Sequence, residues 1–455
     1  MPYQALLTKH SQYFDTNVTR DISWRKQQLQ AIKKLVIENE KDILQALQDD
    51  LAKPTLEAWI TEISYITSDV DHTCKHLNKW AKPRGVSTPI VVQPGKSFIK
   101  PEPQGTVLII GAWNYPLQLV LAPLIAVIAA GNCAIIKPSE LAPAISALIG
   151  QLIPKYLDNN AVSVVEGGVT ETTALLTLNF DHIMYTGNGQ VARIVMAAAA
   201  KHLTPVTLEL GGKSPVYVDE SADLTITAQR IAWGKWMNAG QTCIAPDYLL
   251  VKENLVEPLT LALKAQITAM FGENPKNSDS YGRIINQRHC QRIATYFNDG
   301  KIMVGGESDI ESCYIAPTII INPALDSPLM TEEIFGAILP IVTIEDFDQA
   351  KSFVKQREKP LSAYIFSRNN EQVAQWVNEI SSGSQCINDV IMFNAVPDLP
   401  FGGTGPSGIG QYSGKAGFDN FSHLKSVLKR PFIKDIPVRF APYSKWKLKF
   451  LRFIR

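Results

Sequence analysis

The chain has 455 residues, of which 45% are hydrophobic and 19% are charged. This balance predicts a well-packed, soluble globular protein of two or three domains and excludes a disordered chain. The formal net charge of +1 gives no overall basic field, which argues against nucleic acid as a main partner.

The chain begins with a helical region. In residues 1–80, apolar positions recur at helical spacing among frequent charges, as in DISWRKQQLQAIKKLVIENEKDILQALQDDL. The N-terminal segment MPYQALLTKHSQYF lacks the apolar core of a secretory signal. Residues 85–101 change character, because their prolines and short β-branched runs predict extended strands.

A long apolar segment, VLIIGAWNYPLQLVLAPLIAVIAA, follows and has the length of a membrane span. Asn114, Pro116, Gln118 and Pro123 interrupt it, and Gly131 and another strand-like run come after it. A buried strand, a turn and a helix are therefore the predicted structure.

From residue 105 the chain alternates between short apolar runs and helical patterns. The runs GTVLIIGAW, CAIIKPSE, AVSVVEGG and FDHIMYTG are typical of buried strands that end in turns. A second series, from about residue 212, contains PVYVDE, YLLVKENL, PIVTIEDF and SAYIFSRN. Repeated β–α alternation predicts parallel, doubly wound sheets with ligands at the strands' carboxyl ends, and two such units predict a cleft between them.

Two segments are candidates for dinucleotide binding. In YTGNGQVARIVMAAAAKHL, Gly187, Asn188, Gly189 and Val191 lie between a strand and an alanine-rich helix, where N–H groups favour a pyrophosphate. A turn that merely joins strand to helix explains the same letters equally well. In KPSE, a lysine and a carboxylate follow a buried strand and could bind ribose hydroxyls, although a capped helix start is the alternative.

Three further segments carry polar groups beside apolar strands. Glu209 in VTLELGGKSP could serve as a general base, or as a structural ion-pair partner. Asn114 in GAWNYP could donate to an oxyanion, or belong to ordinary turn chemistry. In TEEIFGAILPI, Glu333 could bind ribose hydroxyls and Phe335 could pack on a flat cofactor, while an acidic helix start explains the same residues.

The six cysteines are scattered and form no CxxC pair, so we expect reduced thiols and a cytoplasmic location. They are Cys74, Cys133, Cys243, Cys290, Cys313 and Cys386. Cys243 lies in WMNAGQTCIAPDY among small residues, where a cysteine is more often a core residue than a nucleophile. The set around His72, Cys74 and His76 lacks the carboxylates of a zinc site, so no metal is predicted.

The joint order of these motifs resembles the aldehyde dehydrogenase superfamily. WNYP, KPSE, the 185–192 turn, LELGGKSP, NAGQTC, EEIFG and the later FGG with GPSGIGQY follow one another across nearly the whole chain. The segments VTLELGGKSP, AGQTCIAPDY and INDVIM look most like the class 3 branch, which includes fatty, aromatic and coniferyl aldehyde dehydrogenases.

The resemblance implies a role for each motif. Cys243 would attack the aldehyde, with Asn114 in the oxyanion hole and Glu209 activating water to hydrolyse the thioester. The cofactor would be NAD, with NADP as the alternative, because Glu140 disfavours an added 2′-phosphate yet relatives that carry it can accept both. The other implied site residues are Lys137, Glu140, Gly187, Asn188, Gly189, Val191, Glu333 and Phe335 for the cofactor, and Tyr115, Trp233 and Phe393 for a hydrophobic substrate.

The implied fold is α/β, with two doubly wound parallel-sheet domains and a small β bridging element that forms a homodimer. Residues 1–82 and 103–211 would bind NAD(P), and residues 212–411 would form the catalytic domain. Residues 83–102 and 412–436 would form the bridging element, followed by a tail of residues 437–455.

This tail contains basic and aromatic residues in alternation. They are Lys445, Lys447, Lys449, Arg452 and Arg455, interleaved with Trp446, Leu448, Phe450, Leu451, Phe453 and Ile454. Such a segment suits peripheral contact with an anionic membrane surface, while an arm that docks on the partner subunit is an equal alternative.

Two rival functions share parts of this pattern. A CoA-acylating dehydrogenase or acyl-thioester reductase would use the same cysteine, but such relatives typically lack the carboxylate at Glu209. A non-catalytic binding protein of the same fold is the other rival, and every expected catalytic position here is filled.

Overall fold

Two large sheets of mainly parallel strands organise the computed structural model, which describes residues 3–453. The strands are β1 Arg84–Val86, β2 Lys96–Pro103, β3 Thr106–Ile110, β4 Cys133–Lys137, β5 Val162–Val164, β6 His182–Thr186, β7 Val206–Glu209, β8 Pro215–Val218, β9 Tyr248–Lys252, β10 Lys301–Val304, β11 Ser308–Asp309, β12 Tyr314–Ile315, β13 Thr318–Ile321, β14 Ile338–Ile344, β15 Ser362–Phe366, β16 Ser384–Ile387, β17 Gly408–Ile409 and β18 Ser422–Lys429.

Helices connect these strands and cover the sheets. They are α1 Gln4–Asp15, α2 Ile22–Glu38, α3 Glu40–Leu51, α4 Thr55–Ala58, α5 Tyr65–Trp80, α6 Gln118–Ala130, α7 Pro143–Tyr156, α8 Val169–Leu175, α9 Gly189–Ala200, α10 Leu224–Trp236, α11 Glu253–Phe271, α12 Gln287–Thr295, α13 Pro328–Thr331, α14 Phe347–Lys355, α15 Asn370–Glu379, α16 Gly414–Asn420 and α17 Lys445–Phe453.

The first sheet has six strands in the order β17–β7–β6–β3–β4–β5. Its strands run parallel except for the edge strand β17, which pairs antiparallel with β7. Every residue of the central strands β3 and β4 is buried, as expected where helices cover both faces of a parallel sheet. The predicted strands between residues 105 and 186 are all present in this sheet.

The second sheet has seven strands in the order β10–β13–β14–β9–β8–β15–β16. All neighbours pair in parallel except β10, which is antiparallel to β13. The four runs predicted for this region form β8, β9, β14 and β15. The predicted α/β class with two parallel-sheet regions is therefore confirmed.

The apolar segment after residue 106 forms β3 and α6, as predicted. All thirteen residues of α6 are buried. Among the described residues, no helix combines the length and the apolar character needed to cross a bilayer.

The chain divides into two compact units. The larger contains the residues up to Trp80 and Glu102–His423, and the smaller contains Ala81–Pro101 and the residues from Leu424 onward. A three-stranded sheet, β1–β2–β18, lies mainly in the smaller unit. The predicted extended region 85–101 is only partly extended, because a 3₁₀ turn at Ile90–Val92 separates β1 from β2. The finer division of the larger unit at residues 211 and 212 stays a prediction.

Candidate active site

Opposite ends of the two sheets carry the residues that the sequence singled out. In the first sheet, the carboxyl ends of β3, β4, β6 and β7 lead to Asn114, Lys137, Gly187 and Glu209. In the second sheet the residues precede their strands instead: Gly211 and Gly212 come before β8, Cys243 before β9, and Glu333 and Phe335 before β14. The second sheet thus contributes its amino ends, which the sequence did not predict.

Asn114 is bonded directly to the segment that leads to Cys243. Its Nδ2 donates to the Gln241 carbonyl at 3.0 Å, and its own carbonyl accepts from Asn238 Nδ2 at 2.8 Å. Asn238 and Ala239 both have left-handed backbone conformations, with φ of 53° and 51°. These bonds hold the 114 turn and the 238–243 segment together across 124 or more positions of sequence.

Cys243 is a partly buried residue with a free thiol, in a loop between a 3₁₀ turn and β9. Burial raises its pKa well above the usual value, and the nearby carboxyl groups of Glu333 and Glu209 raise it further. The N–H groups of Cys243 and Ile244 partly offset this increase by hydrogen bonding to the sulfur. The thiol therefore needs a base or a favourable partner before it can act as a nucleophile.

Glu209 ends β7 and is 3% exposed. Neither of its carboxyl oxygens has a hydrogen-bond partner among the described residues. Burial alone raises the pKa of this carboxyl well above 4.5, and its charge is felt by Cys243. A structural ion pair, the alternative considered for Glu209, is absent from the described part of the chain. An unpartnered buried carboxyl beside a thiol fits a general base that acts on water.

Glu333 packs against the glycine pair that follows β7. Its carboxyl lies so close to Gly211 that a Cβ added there would collide with it, and it accepts a bond from the Gly212 N–H. Burial raises the pKa of Glu333 to about 8, with Asp247 adding to the effect. Phe335 has a φ of 46° and meets Trp113 edge to face, with ring centroids 5.3 Å apart.

An ion pair between Lys213 and Asp247, which the sequence did not single out, holds the segment around Glu333 in place. Lys213 forms a buried ion pair with Asp247 and donates to the carbonyls of Leu329 and Glu332, each at 2.8 Å. Asp247 also accepts from the Ile334 N–H at 3.1 Å. Lys213 lies in the segment GGKSP and Asp247 in the segment APDY. Their contact could not be predicted from the sequence and is seen only in the fold.

The predicted dinucleotide turn joins β6 to α9 as expected. Asn188 caps the helix, its Oδ1 accepting from the Val191 N–H at 3.0 Å, and Gly189 is the first helical residue. The Gly187 N–H donates to the Glu209 carbonyl at 3.0 Å. The turn therefore presents the N-terminus of a helix, which favours an anion, next to the end of β7.

Lys137 and Glu140 lie at the end of β4. Lys137 is buried, donates to the Pro138 carbonyl at 2.7 Å and pairs with Glu140 at 3.2 Å, while Glu140 itself is exposed. These groups and the glycine turn are compatible with a dinucleotide, because the cation and carboxylate follow β4 and the helix N-terminus follows β6, on either side of β3 in one sheet.

The three predicted pocket residues have different surroundings. Tyr115 is buried, and its hydroxyl is 2.6 Å from Thr242 Oγ1, next to Cys243. Phe393 is buried in a short 3₁₀ turn. Trp233 lies on α10 and is 37% exposed. Tyr115 contacts the segment that leads to Cys243, and none of the described contacts joins Trp233 to that segment, so these pocket roles stay predictions.

Phe393 belongs to a row of aromatic rings that the sequence did not reveal. Its ring stacks between Tyr364, 6.5 Å away, and Phe401, 6.4 Å away, and Phe401 meets Tyr412 edge to face at 5.6 Å. Tyr364 donates to the carbonyl of Ile244, the residue after Cys243, at 2.5 Å. This bond joins the row to the residue that follows Cys243.

The free Cys243 thiol and the unpartnered, buried Glu209 carboxyl thus come from two mainly parallel sheets of one α/β unit. The aldehyde dehydrogenase family model matches residues 5–427. The chain is 47% identical to the dimeric NADP-preferring aldehyde dehydrogenase of Rattus norvegicus, over 93% of each chain.

It is also 46% identical to the 4,4'-diaponeurosporen-aldehyde dehydrogenase of Staphylococcus aureus, over 97% of this chain and 96% of that protein. The substrate-bound structure of Staphylococcus aureus AldH superposes with a TM-score of 0.96 at 45% identity, over 98% of each chain. The chain belongs to the aldehyde dehydrogenase family.

Proposed function

We propose that the protein oxidises a hydrophobic aldehyde, aliphatic or aromatic, to the carboxylic acid with NAD(P). The observation that carries this proposal is the unpartnered, buried Glu209 carboxyl, whose charge acts on the Cys243 thiol. The aromatic row from Tyr364 to Tyr412 supports an apolar substrate, because such rings bury hydrocarbon surface.

In the proposed reaction, the Cys243 thiolate adds to the aldehyde carbon and forms a thiohemiacetal. Asn114 Nδ2 and the Cys243 N–H donate to the developing oxyanion. NAD(P), when bound, would supply the hydride acceptor for this carbon, and loss of the hydride would leave a thioester on Cys243. Glu209 then takes a proton from water, which attacks the thioester carbon and releases the acid and the thiolate.

Lys137 and Glu140 would hold the adenine-side ribose, Gly187, Asn188, Gly189 and Val191 the pyrophosphate region, and Glu333 with Phe335 the nicotinamide side. The carboxylate of Glu140 opposes a 2′-phosphate and so favours NAD. The similar rat protein is named NADP-preferring, and NADP is therefore the alternative cofactor. That relative is also named dimeric, which supports a homodimer.

A kinetic panel tests this function. Hexanal, decanal, benzaldehyde and glyceraldehyde are each assayed with NAD and with NADP, using wild type and Cys243→Ser. The proposal expects decanal or benzaldehyde to give the highest kcat/KM, and expects Cys243→Ser to lose the oxidation. A preference for glyceraldehyde contradicts the substrate class, and a product that requires added CoA favours the acylating alternative.

We also propose that the C-terminal tail contacts an anionic membrane surface. On α17, Trp446, Phe450 and Phe453 share one exposed helix face. Lys445, Lys449 and Arg452 follow the same spacing on the adjacent face. A basic face beside an aromatic one suits the interface of an anionic bilayer. The tail residues Ile454 and Arg455 lie outside the described residues.

A further inference from the structure

A buried ion pair lies behind the turn that carries Asn114. Lys53 Nζ is 2.6 Å from Glu62 Oε1, and both side chains are 0% exposed. Lys53 follows α3, and Glu62 lies in a π-helical turn, Trp59–Ser64, between α4 and α5. Lysine and glutamate side chains are rarely buried completely unless they form an ion pair. π-Helical turns are frequent at functional sites.

The remaining bonds of this pair all lead to the 114–118 turn. Glu62 Oε2 accepts from the N–H groups of Leu117, at 2.9 Å, and Gln118, at 3.0 Å, where α6 begins. Lys53 Nζ donates to the Asn114 carbonyl at 3.2 Å and lies 4.1 Å from the centre of the Tyr115 ring. One carboxylate and one ammonium therefore bind both ends of the turn.

Residues 238–241, which lead to Cys243, also bind the 114–118 turn. The Asn114 carbonyl accepts from both Lys53 and Asn238, and Asn114 Nδ2 donates to Gln241. A primary amide has two N–H hydrogens, so this last bond fixes the amide plane and leaves one hydrogen for another acceptor. The orientation of that hydrogen depends on where the backbone of Asn114 is held.

We propose that the Lys53–Glu62 ion pair is a positioning device for the oxyanion donor Asn114. The proposal rests on the proposed function, because it assumes that Asn114 stabilises an oxyanion. Lys53 and Glu62 contact the turn and act only through Asn114. A donor shifted by about 1 Å loses much of its effect on the transition state, so the pair affects the rate of the chemical step rather than cofactor binding.

The test uses the full-length enzyme and the double variant Lys53→Met/Glu62→Gln, which removes both charges together and keeps an acceptor for the two N–H groups. We expect kcat and the single-turnover rate of NADH formation to fall roughly 10- to 100-fold, with an unchanged KM for the cofactor. In an Asn114→Ala background, the same double variant should have almost no further effect.

Two comparisons separate positioning from general loss of stability. Glu62→Asp keeps the charges but shortens the reach to the Leu117 and Gln118 N–H groups, and it should show a smaller loss of the same kind that again disappears in Asn114→Ala. The control is Lys351→Met/Glu379→Gln, which removes an ion pair between a buried lysine on α14 and an exposed glutamate on α15 and should leave kcat unchanged.

An unchanged kcat in the double variant and Glu62→Asp, or an equal loss with and without Asn114, overturns the positioning proposal. The proposed function fails separately, if Cys243→Ser still oxidises aldehydes at the wild-type rate. When Cys243→Ser is inactive and the losses at Lys53 and Glu62 vanish in Asn114→Ala, both are supported.

Discussion

Glu209 and Cys243 are neighbours whose pKa values are both raised by burial. A carboxyl and a thiol in this state both retain their protons more strongly than they would in water. No histidine lies beside Cys243 in the sequence. The proposed chemistry does not need one, because Glu209 at the end of β7 is a second buried group that can exchange a proton. The cost is that the folded protein holds Glu209 where its charged form is poorly solvated.

This cost predicts how stability depends on pH. In the unfolded chain Glu209 ionises near its ordinary pKa of 4.5, whereas in the folded protein it ionises only at a much higher pH. As pH rises above 4.5, proton release favours the unfolded chain, so wild type should lose stability relative to Glu209→Gln. The loss should level off above the raised pKa. Urea unfolding of both proteins between pH 5 and pH 9 measures the difference.

The control for this measurement is Glu220→Gln. Glu220 is on the surface, and its bonds to Lys252 and Asn254 lower its pKa. Wild type should therefore gain stability relative to Glu220→Gln as pH rises towards 4.5, and show no trend above it. A stability difference between wild type and Glu209→Gln that does not change with pH would contradict the raised pKa of Glu209.

The loop between β7 and β8 connects two parts of the proposed site. Gly211 and Gly212 have no side chains, so the Glu333 carboxyl can approach the backbone of the loop closely. Glu333 is one of the proposed cofactor-binding residues. Glu209, the last residue of β7, acts electrostatically on the Cys243 thiol. This short loop therefore separates Glu209, the proposed hydrolytic base, from the backbone that binds Glu333, the proposed ribose-binding carboxyl.

Gly211→Ala tests this loop. The added Cβ would collide with the Glu333 carboxyl, which is the flexible end of a side chain and can move away without unfolding the protein. We expect the cofactor KM to rise roughly tenfold, which matches the loss of one hydrogen bond to a charged group, while the unfolding temperature changes little. Gly85→Ala is the control, because a Cβ there has no neighbour within 4 Å. Unchanged cofactor KM in Gly211→Ala would remove Glu333 from the cofactor site.

Much of the fold could be predicted because parallel strands buried on both faces are short, nearly continuous apolar runs. CAIIK and TVLII show this directly, as does the glycine turn after FDHIMYT. Lys53 and Glu62 could not be predicted, because they lie in an amphipathic helical region where charged residues are normally solvated. What distinguishes Glu62 from its neighbours is its burial against a turn that lies 55 or more positions further along the chain.

At the scale of the whole molecule, the two large sheets contribute opposite strand ends to one site. The carboxyl ends of the first sheet supply the proposed oxyanion donor, the proposed base and the proposed cofactor groups. The amino ends of the second supply the thiol and Glu333. The sequence predicted ligands at carboxyl ends and a cleft between two units, but the use of amino ends follows from contacts between distant loops, such as Asn114 with Gln241.

The proposed membrane contact is tested on the full chain. We expect it to co-sediment with phosphatidylglycerol vesicles at low salt, to be released by high salt, and to ignore phosphatidylcholine vesicles. A truncated chain of residues 1–430 and the variant Lys445→Gln/Lys449→Gln/Arg452→Gln should both lose this binding. Equal vesicle binding by all three proteins rejects the membrane contact. A truncated chain that becomes monomeric favours an arm on the partner subunit.

Glu209 is proposed to activate the water that hydrolyses a thioester on Cys243, and the variant Glu209→Gln tests this role most directly. Mixed with decanal and NAD, this variant should form about one NADH per active site in a burst and then stall. Intact-mass spectrometry of the stalled enzyme should show a decanoyl adduct, mapped by digestion to Cys243. Continued turnover at the wild-type rate, or a stalled enzyme with neither burst nor adduct, would contradict the account.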